Sequence, residues 1–348
     1  MKFGYFDDAR KEYVITTPQT PLPWINYLGS SDFFSLISNT CGGYSFFKDA
    51  KLLRITRYRY NDLPNDKNGK YYYIKDEDVV WNPGWKPVQA DLDSYECRHG
   101  IGYSRFLSSK NEVSAELLAF VPVNASCEIN SLTLENTSDK VKTLKLFSYV
   151  EFCLWNAVDD MTNYQRNLSI GEVEVDSTSE TPPRAVIYHK TEYRERRNHY
   201  AYFSVNAPAA SFDTSRDSFI GAYRDASNPA AVENGICGNS IASGWYPIAA
   251  HQIDVTLLPG ERKNFIFVLG YAELPKEKKW ESPGIINKAP AKELLAHFDT
   301  EEKVDAAFTA LNTYWEELLA KYHVESQNEK VNRMVNIWNQ YQCMVTFN

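Results

Sequence analysis

Residues Lys142 to Phe152 alternate without a break. Leu144, Leu146, Ser148, Val150 and Phe152 fall on one side of an extended chain, and Lys145, Phe147, Tyr149 and Glu151 on the other. A period of two makes two faces only on a β-strand. His199 to Val205 repeats the pattern, with Ala201, Phe203 and Val205 opposite Tyr200, Tyr202 and Ser204. Gln252 to Tyr271 predicts a hairpin: alternating Ile253, Val255 and Leu257, a turn at Pro259-Gly260-Glu261, then the apolar run Phe265 to Leu269. No helical period interrupts these strands, so residues 1–275 are expected to be mainly β, as antiparallel sheets packed in a sandwich. A stretch of that size is too large for one small sandwich and predicts an enlarged two-sheet assembly.

The pattern changes after Pro275. Pro283-Gly284 and Pro290 mark a linker, and residues 276–325 are expected to be an α-helical linker. Ala291, Leu294, Leu295 and Phe298 give a short amphipathic helix. Asp299-Thr300-Glu301-Glu302 supplies an N-cap with a capping-box glutamate, ahead of Val304, Phe308, Leu311, Trp315, Leu318, Leu319 and Tyr322. Ser326-Gln327-Asn328-Glu329 repeats the start signal before Val331, Met334, Val335, Trp338, Tyr341, Gln342 and Val345. That last helix has no Gly, Pro or basic closing turn. Residues 326–348 are therefore expected to begin a further helical domain, and the chain to be the front portion of a longer polypeptide.

Hydrophobic residues at 43% and charged residues at 24% exclude wholesale disorder. With 45 acidic against 37 basic residues the 348-residue chain carries a formal charge of −8, which argues against a nucleic-acid partner. No apolar run reaches the ~18 residues of a membrane span. Met1 to Arg10 lacks the apolar core of a secretory signal, so the cytoplasm is the expected compartment. There the six cysteines, none in a C-x-x-C pair, are expected to be reduced and mostly buried, and the glycosylation triplets at Asn124, Asn136 and Asn167 carry no meaning. The 23 Tyr, 18 Phe and 8 Trp fit a large core with a tyrosine rim, or a surface that stacks on sugar rings.

No phosphate loop, dinucleotide fingerprint, zinc-protease helix or nucleophile elbow occurs, and the six His show no ligand spacing, so no metal is expected. Four local clusters remain. Trp81-Asn82-Pro83-Gly84-Trp85-Lys86-Pro87 can pack a turn on the core or form a stacking platform. Tyr95 to Tyr103 mixes an ion pair with a Gly-rich bend and favours structural use. Arg54 to Tyr60 alternates Arg and Tyr and predicts a solvated strand face. Asn156 to Arg166 comes directly after the strong strand, is expected to be a loop, and gathers Asp159, Asp160, Asn163, Tyr164, Gln165 and Arg166. Its Gln and Arg offer planar donors and acceptors suited to sugar hydroxyls.

Long blocks of the chain resemble the amino-terminal part of bacterial cellobiose phosphorylases, inverting disaccharide phosphorylases of glycoside hydrolase family 94. They are the opening MKFGYFDDARKEYVITTPQTPLPWINYLGS, then NTCGGYSFFKDAKLLRITRYRYN, VWNPGWKPV, YECRHGIGYS and NYQRNLSIGEVEV. The resemblance implies a β-sandwich, a helical linker and an (α/α)6 catalytic barrel that this chain only begins. It implies reversible phosphorolysis of cellobiose to α-glucose 1-phosphate and glucose, with inorganic phosphate as co-substrate, no cofactor, and a homodimer. It also implies that the catalytic aspartate and phosphate site lie beyond residue 348, so no catalytic residue is expected here. Gln165 and Arg166, with Tyr164 a weaker addition, carry over as acceptor-sugar residues. Asp159 and Asp160 are not candidates for catalysis. The alternatives are a non-catalytic carbohydrate-binding or scaffolding β module, and a phosphorylase of a related β-glucoside such as cellodextrins or laminaribiose.

Overall fold

The computed structural model describes residues 2–29, 31–58, 66, 69–163, 172–177, 185–190, 198–244 and 246–347. Two antiparallel sheets face each other. The first has ten strands, in the order Gly4–Asp7, Glu12–Ile15, Ser94–His99, Tyr103–Lys110, Val113–Phe120, Cys127–Asn136, Arg262–Glu273, His199–Val205, Ala185–His189 and Val173–Ser177. The second has nine and centres on Lys142–Trp155, the strand with the strictest alternation in the sequence. Pro247–Leu257 and Ser211–Ser215 lie on one side of it. On the other side the sheet divides, Lys70–Asp76 pairing with its first half and Arg54–Thr56 with its end.

The expected hairpin is not one. Pro247–Leu257 pairs with Lys142–Trp155 in the nine-stranded sheet, whereas Arg262–Glu273 pairs with Cys127–Asn136 and His199–Val205 in the ten-stranded sheet. The turn at Pro259-Gly260 therefore carries the chain between sheets. A second crossing, from Cys127–Asn136 to Lys142–Trp155, lies beside it. Asn136 fastens the two: its amide nitrogen donates to the carbonyls of Lys140 and Leu257, 2.6 and 3.0 Å away, and its backbone carbonyl accepts from Gly260 N at 2.9 Å. A turn signature specifies a reversal of direction, and both a hairpin and an inter-sheet arch reverse it.

The main core fills the space between the sheets with Leu144, Leu146, Phe152, Phe203, Phe267 and Leu269. A second core forms on the outer face of the ten-stranded sheet, where Leu118, Phe120, Ile129 and Val268 meet Val304, Leu311 and Trp315 of the helix Glu301–Leu319. Strands at the centre of that sheet are thus covered on both faces, which explains the unbroken apolar run Phe265–Leu269. The short helix Ala289–Ala296 lies over Tyr188, Tyr200 and Tyr202.

Thr300, not Asp299, caps the helix Glu301–Leu319, its side chain accepting from Lys303 N at 3.4 Å, so Glu302 falls one residue short of the capping-box position. Asn328 caps the last helix, which runs as Glu329–Arg333, a π-helical turn Met334–Trp338, and Asn339–Phe347. Its apolar stripe was expected to await a further domain, but part of it already rests on the sandwich. Tyr341 is 7% exposed and meets Trp315 edge-on at 5.2 Å, and its hydroxyl accepts from Gly102 N at 3.2 Å. Trp338 lies 5.6 Å from Phe6, whereas Met334 is 40% exposed. No helix among the described residues is long and apolar enough to cross a membrane.

Candidate functional site

Tyr164, Gln165 and Arg166, the expected acceptor-sugar residues, lie outside the described residues. The segment that leads into them is described. Lys142–Trp155 ends at Trp155, whose φ of +68° turns the chain out of the sheet. The segment beyond it, expected to be an open loop, begins instead as the helical turn Ala157–Thr162. Asn156 caps it, its side chain accepting from Asp159 N at 3.0 Å, and Ala157 N donates to Lys51 O at 2.7 Å.

Beneath the turn sits a buried charge cluster. Arg54 and Arg57 were expected on a solvated face, and both are 2% exposed. Arg54 lies over the Tyr44 ring at 3.6 Å and donates from Nε to Ala50 O at 2.8 Å. Arg57 grips Asp160 with two bonds, Nε to Oδ2 at 2.6 Å and one terminal nitrogen to Oδ1 at 2.7 Å, and reaches Glu151 Oε1 at 2.7 Å. Asp160 Oδ1 also accepts from Leu154 N at 3.1 Å, and Tyr149 donates to Glu151 at 3.0 Å. Burial works against the Arg57 cation, but Asp160 and Glu151 more than offset it and hold the guanidinium protonated, above its ordinary range. Alternation put these arginines on a strand but could not supply Asp160, a hundred residues further along the chain.

The cluster opens on a cleft of about 130 Å³ lined by Arg57, Tyr71, Tyr149, Glu151, Arg216 and Asp225. Arg216 lies 3.6 Å from Glu151 across it. Glu151 and Asp160 are both held by guanidinium groups, which is the geometry of support rather than of proton transfer.

The other sequence clusters serve the fold. Trp81 is fully buried, and Asn82 bridges Tyr72 O and Val88 N at 3.0 Å each. A Cβ on Gly84 would stand 2.3 Å from Cys41 Sγ, so that turn is pressed against the core. Arg98 holds Glu12 at 2.9 Å and Glu96 at 2.5 Å. His99 donates from Nε2 to Trp24 O at 3.0 Å, and burial pushes it down to about 4. All six cysteines are free, with Cys343 alone exposed, and no group of metal-ligating side chains occurs among the described residues. Asn136, in one glycosylation triplet, is fully buried.

One network gave no sequence signal. Lys70 Nζ lies 3.2 Å from Glu128 Oε2 between the sheets, with side chains 3% and 0% exposed. Ser45 donates to Glu128 at 2.8 Å, and Asn130 to its other oxygen at 2.9 Å.

The chain matches the model of the glycosyl hydrolase 94 supersandwich domain over residues 11–301 and that of the glycosyl hydrolase 94 superfamily catalytic domain over residues 314–348. It is 36% identical to an N,N'-diacetylchitobiose phosphorylase of Vibrio proteolyticus, across 99% of this chain and 41% of that protein. It is 29% identical to a 3-O-beta-D-glucopyranosyl-beta-D-glucuronide phosphorylase of Paenibacillus borealis, across 97% of this chain and 40% of that one. The chain thus spans about two fifths of the length of these curated relatives. A bacterial glucoamylase solved with acarbose shares the fold at a TM-score of 0.55 and 10% identity, over 96% of this chain and 44% of its own. From the sandwich and its helical continuation, each matched in turn, the chain belongs to the glycosyl hydrolase 94 family.

Proposed function

We propose that the chain is the front portion of a cytoplasmic, homodimeric inverting phosphorylase that converts cellobiose and inorganic phosphate to α-glucose 1-phosphate and glucose. The observation that carries this is the succession of family matches, sandwich over 11–301 and catalytic domain from 314. We place the sandwich at residues 1–275, the helical linker at 276–325 and the start of the catalytic barrel at 326–348, whereas the family matches set the two boundaries at 301 and 314. In this reading an aspartic acid beyond residue 348 protonates the glycosidic oxygen while phosphate attacks the anomeric carbon from the opposite face. Phosphate is itself an anionic nucleophile, so the second carboxylate of an inverting hydrolase, which activates water, has no task. The sandwich supplies Gln165 and Arg166, with Tyr164, to the acceptor-sugar hydroxyls.

Cellobiose rests on the long sequence blocks, from MKFGYFDDAR to NYQRNLSIGEVEV, that resemble cellobiose phosphorylases. A second reading, phosphorolysis of N,N'-diacetylchitobiose, is favoured by the 36% identity to the Vibrio proteolyticus protein of that description. The test is to incubate the full-length gene product with phosphate and each disaccharide in turn, and to follow the sugar 1-phosphate by phosphorus NMR. α-Glucose 1-phosphate from cellobiose supports the first reading. N-acetylglucosamine 1-phosphate from diacetylchitobiose alone supports the second, and no phosphate ester from either sinks both.

A further inference from the structure

We propose that Arg57 is a positioning residue for acceptor-sugar recognition: through its paired bonds to Asp160 it fixes the helical turn Ala157–Thr162, from which the acceptor segment issues. The proposal rests on the reading of Gln165 and Arg166 as acceptor residues.

A helix of six residues does not hold its own conformation in water and needs outside support. Here the support is directional. Asp160 points inward from the turn, its side chain 3% exposed, and meets the Arg57 fork at both oxygens, 2.6 and 2.7 Å away. Oδ1 is also held by Leu154 N at 3.1 Å, so one carboxylate ties the turn both to the end of the strand it leaves and to Arg57, just past the neighbouring strand Arg54–Thr56. Arg57 is fixed in turn, its backbone nitrogen donating to Glu151 O at 2.8 Å and its side chain to Glu151 Oε1 at 2.7 Å. Such a pair is weak evidence for stability, because desolvating two charges offsets much of their attraction. The fork supplies orientation: a planar guanidinium meeting a carboxylate at two points fixes rotation as well as distance. Asn163 closes the turn, its nitrogen on Asp159 O at 2.8 Å, and Tyr164 is the next residue.

A lysine keeps the charge and loses the fork, so Arg57→Lys separates positioning from charge. In the full-length enzyme, run in the synthetic direction, it is expected to raise KM for acceptor glucose about tenfold, by analogy with displaced substrate contacts. KM for α-glucose 1-phosphate and kcat should stay within about twofold. The double variant Arg57→Lys/Arg166→Ala should be no worse for the acceptor than Arg166→Ala alone, because Arg57 acts through that segment. If Arg166→Ala raises the acceptor KM and Arg57→Lys does not, the positioning role is overturned and the acceptor reading stands. If Arg166→Ala leaves it unchanged, the acceptor reading fails first and the proposal with it. Additive effects, or an equal rise of both KM values, would make Arg57 merely structural and overturn it too. Asp160→Asn, which keeps shape and one acceptor oxygen, is measured in parallel with the same expectations. Failure of both variants to fold would assign the pair to stability and likewise overturn the proposal.

Discussion

Two charged networks lie inside this sandwich, and they hold different things. Lys70 and Glu128 come from opposite sheets and meet between them, closed in by Ser35, Ser45 and Asn130. His251 makes a similar tie, accepting at Nδ1 from Ser148 and donating from Nε2 to Ala185 O of the other sheet at 2.7 Å. Arg57, Glu151 and Asp160 instead sit at the end of one strand, at the mouth of a cleft, and fix a turn that leaves the sheet. The first network sets how the sheets face each other. The second sets where the chain goes when it leaves them. The same chemistry therefore serves stability in one place and, if Arg57 positions the acceptor segment, substrate recognition in the other.

The largest expected effect concerns the whole molecule. If both networks only shape a site whose acid lies elsewhere, residues 1–348 alone should release no α-glucose 1-phosphate from cellobiose and phosphate. Turnover above background in a coupled assay would break the comparison at its root. Next comes Lys70→Met, which strands a buried Glu128 carboxylate and is expected to cost ~3–5 kcal/mol. Thermal melting of the full-length protein would show it, and any folded fraction should keep its acceptor KM. A raised acceptor KM at unchanged Tm would exchange the roles assigned to the two networks.

Acidification addresses the inter-sheet ties with a smaller effect. Burial pushes His99 and His251 down to about 4, below the ~6.5 of an unfolded histidine. Between those values the unfolded chain binds the extra protons, so this stability is complete above about pH 6.5 and lost as pH falls toward 4. Tm measured across that window should decline on the acid side, and a rise there would contradict neutral buried imidazoles. The smallest effect is Tyr341→Phe, which leaves Gly102 N without its acceptor. It should lower stability by ~1 kcal/mol in denaturant titration and leave every KM unchanged.

Particular residues show how far the sequence reaches. Leu144, Leu146 and Val150 announce the central strand because each buried side chain recurs at the strand period. Val304, Leu311 and Trp315 announce a packed helix by the same logic at the helical period. Periodicity is local, however, and pairing is not. Nothing in Leu257 to Arg262 says that the strands on either side belong to different sheets, because the partners that decide it are Asn136 and two other strands. Arg54 and Arg57 belong to a residue type that favours solvent, and partners such as Asp160, Glu151 and Tyr44 make their burial tolerable. Lys70 and Glu128 are equally silent until two sheets bring them together. The helical start of the Asn156–Arg166 segment was hidden among polar residues that cap and clamp rather than repeat.

The most direct measurement is the acceptor kinetics of Arg166→Ala in the full-length enzyme. Loss of a charged donor to a sugar hydroxyl costs ~1.5–3 kcal/mol, or roughly ten- to a hundredfold. The account predicts that rise in KM for glucose, with KM for α-glucose 1-phosphate and Tm nearly unchanged. Glucose kinetics identical to the parent enzyme would remove Arg166 from the acceptor site and contradict the account.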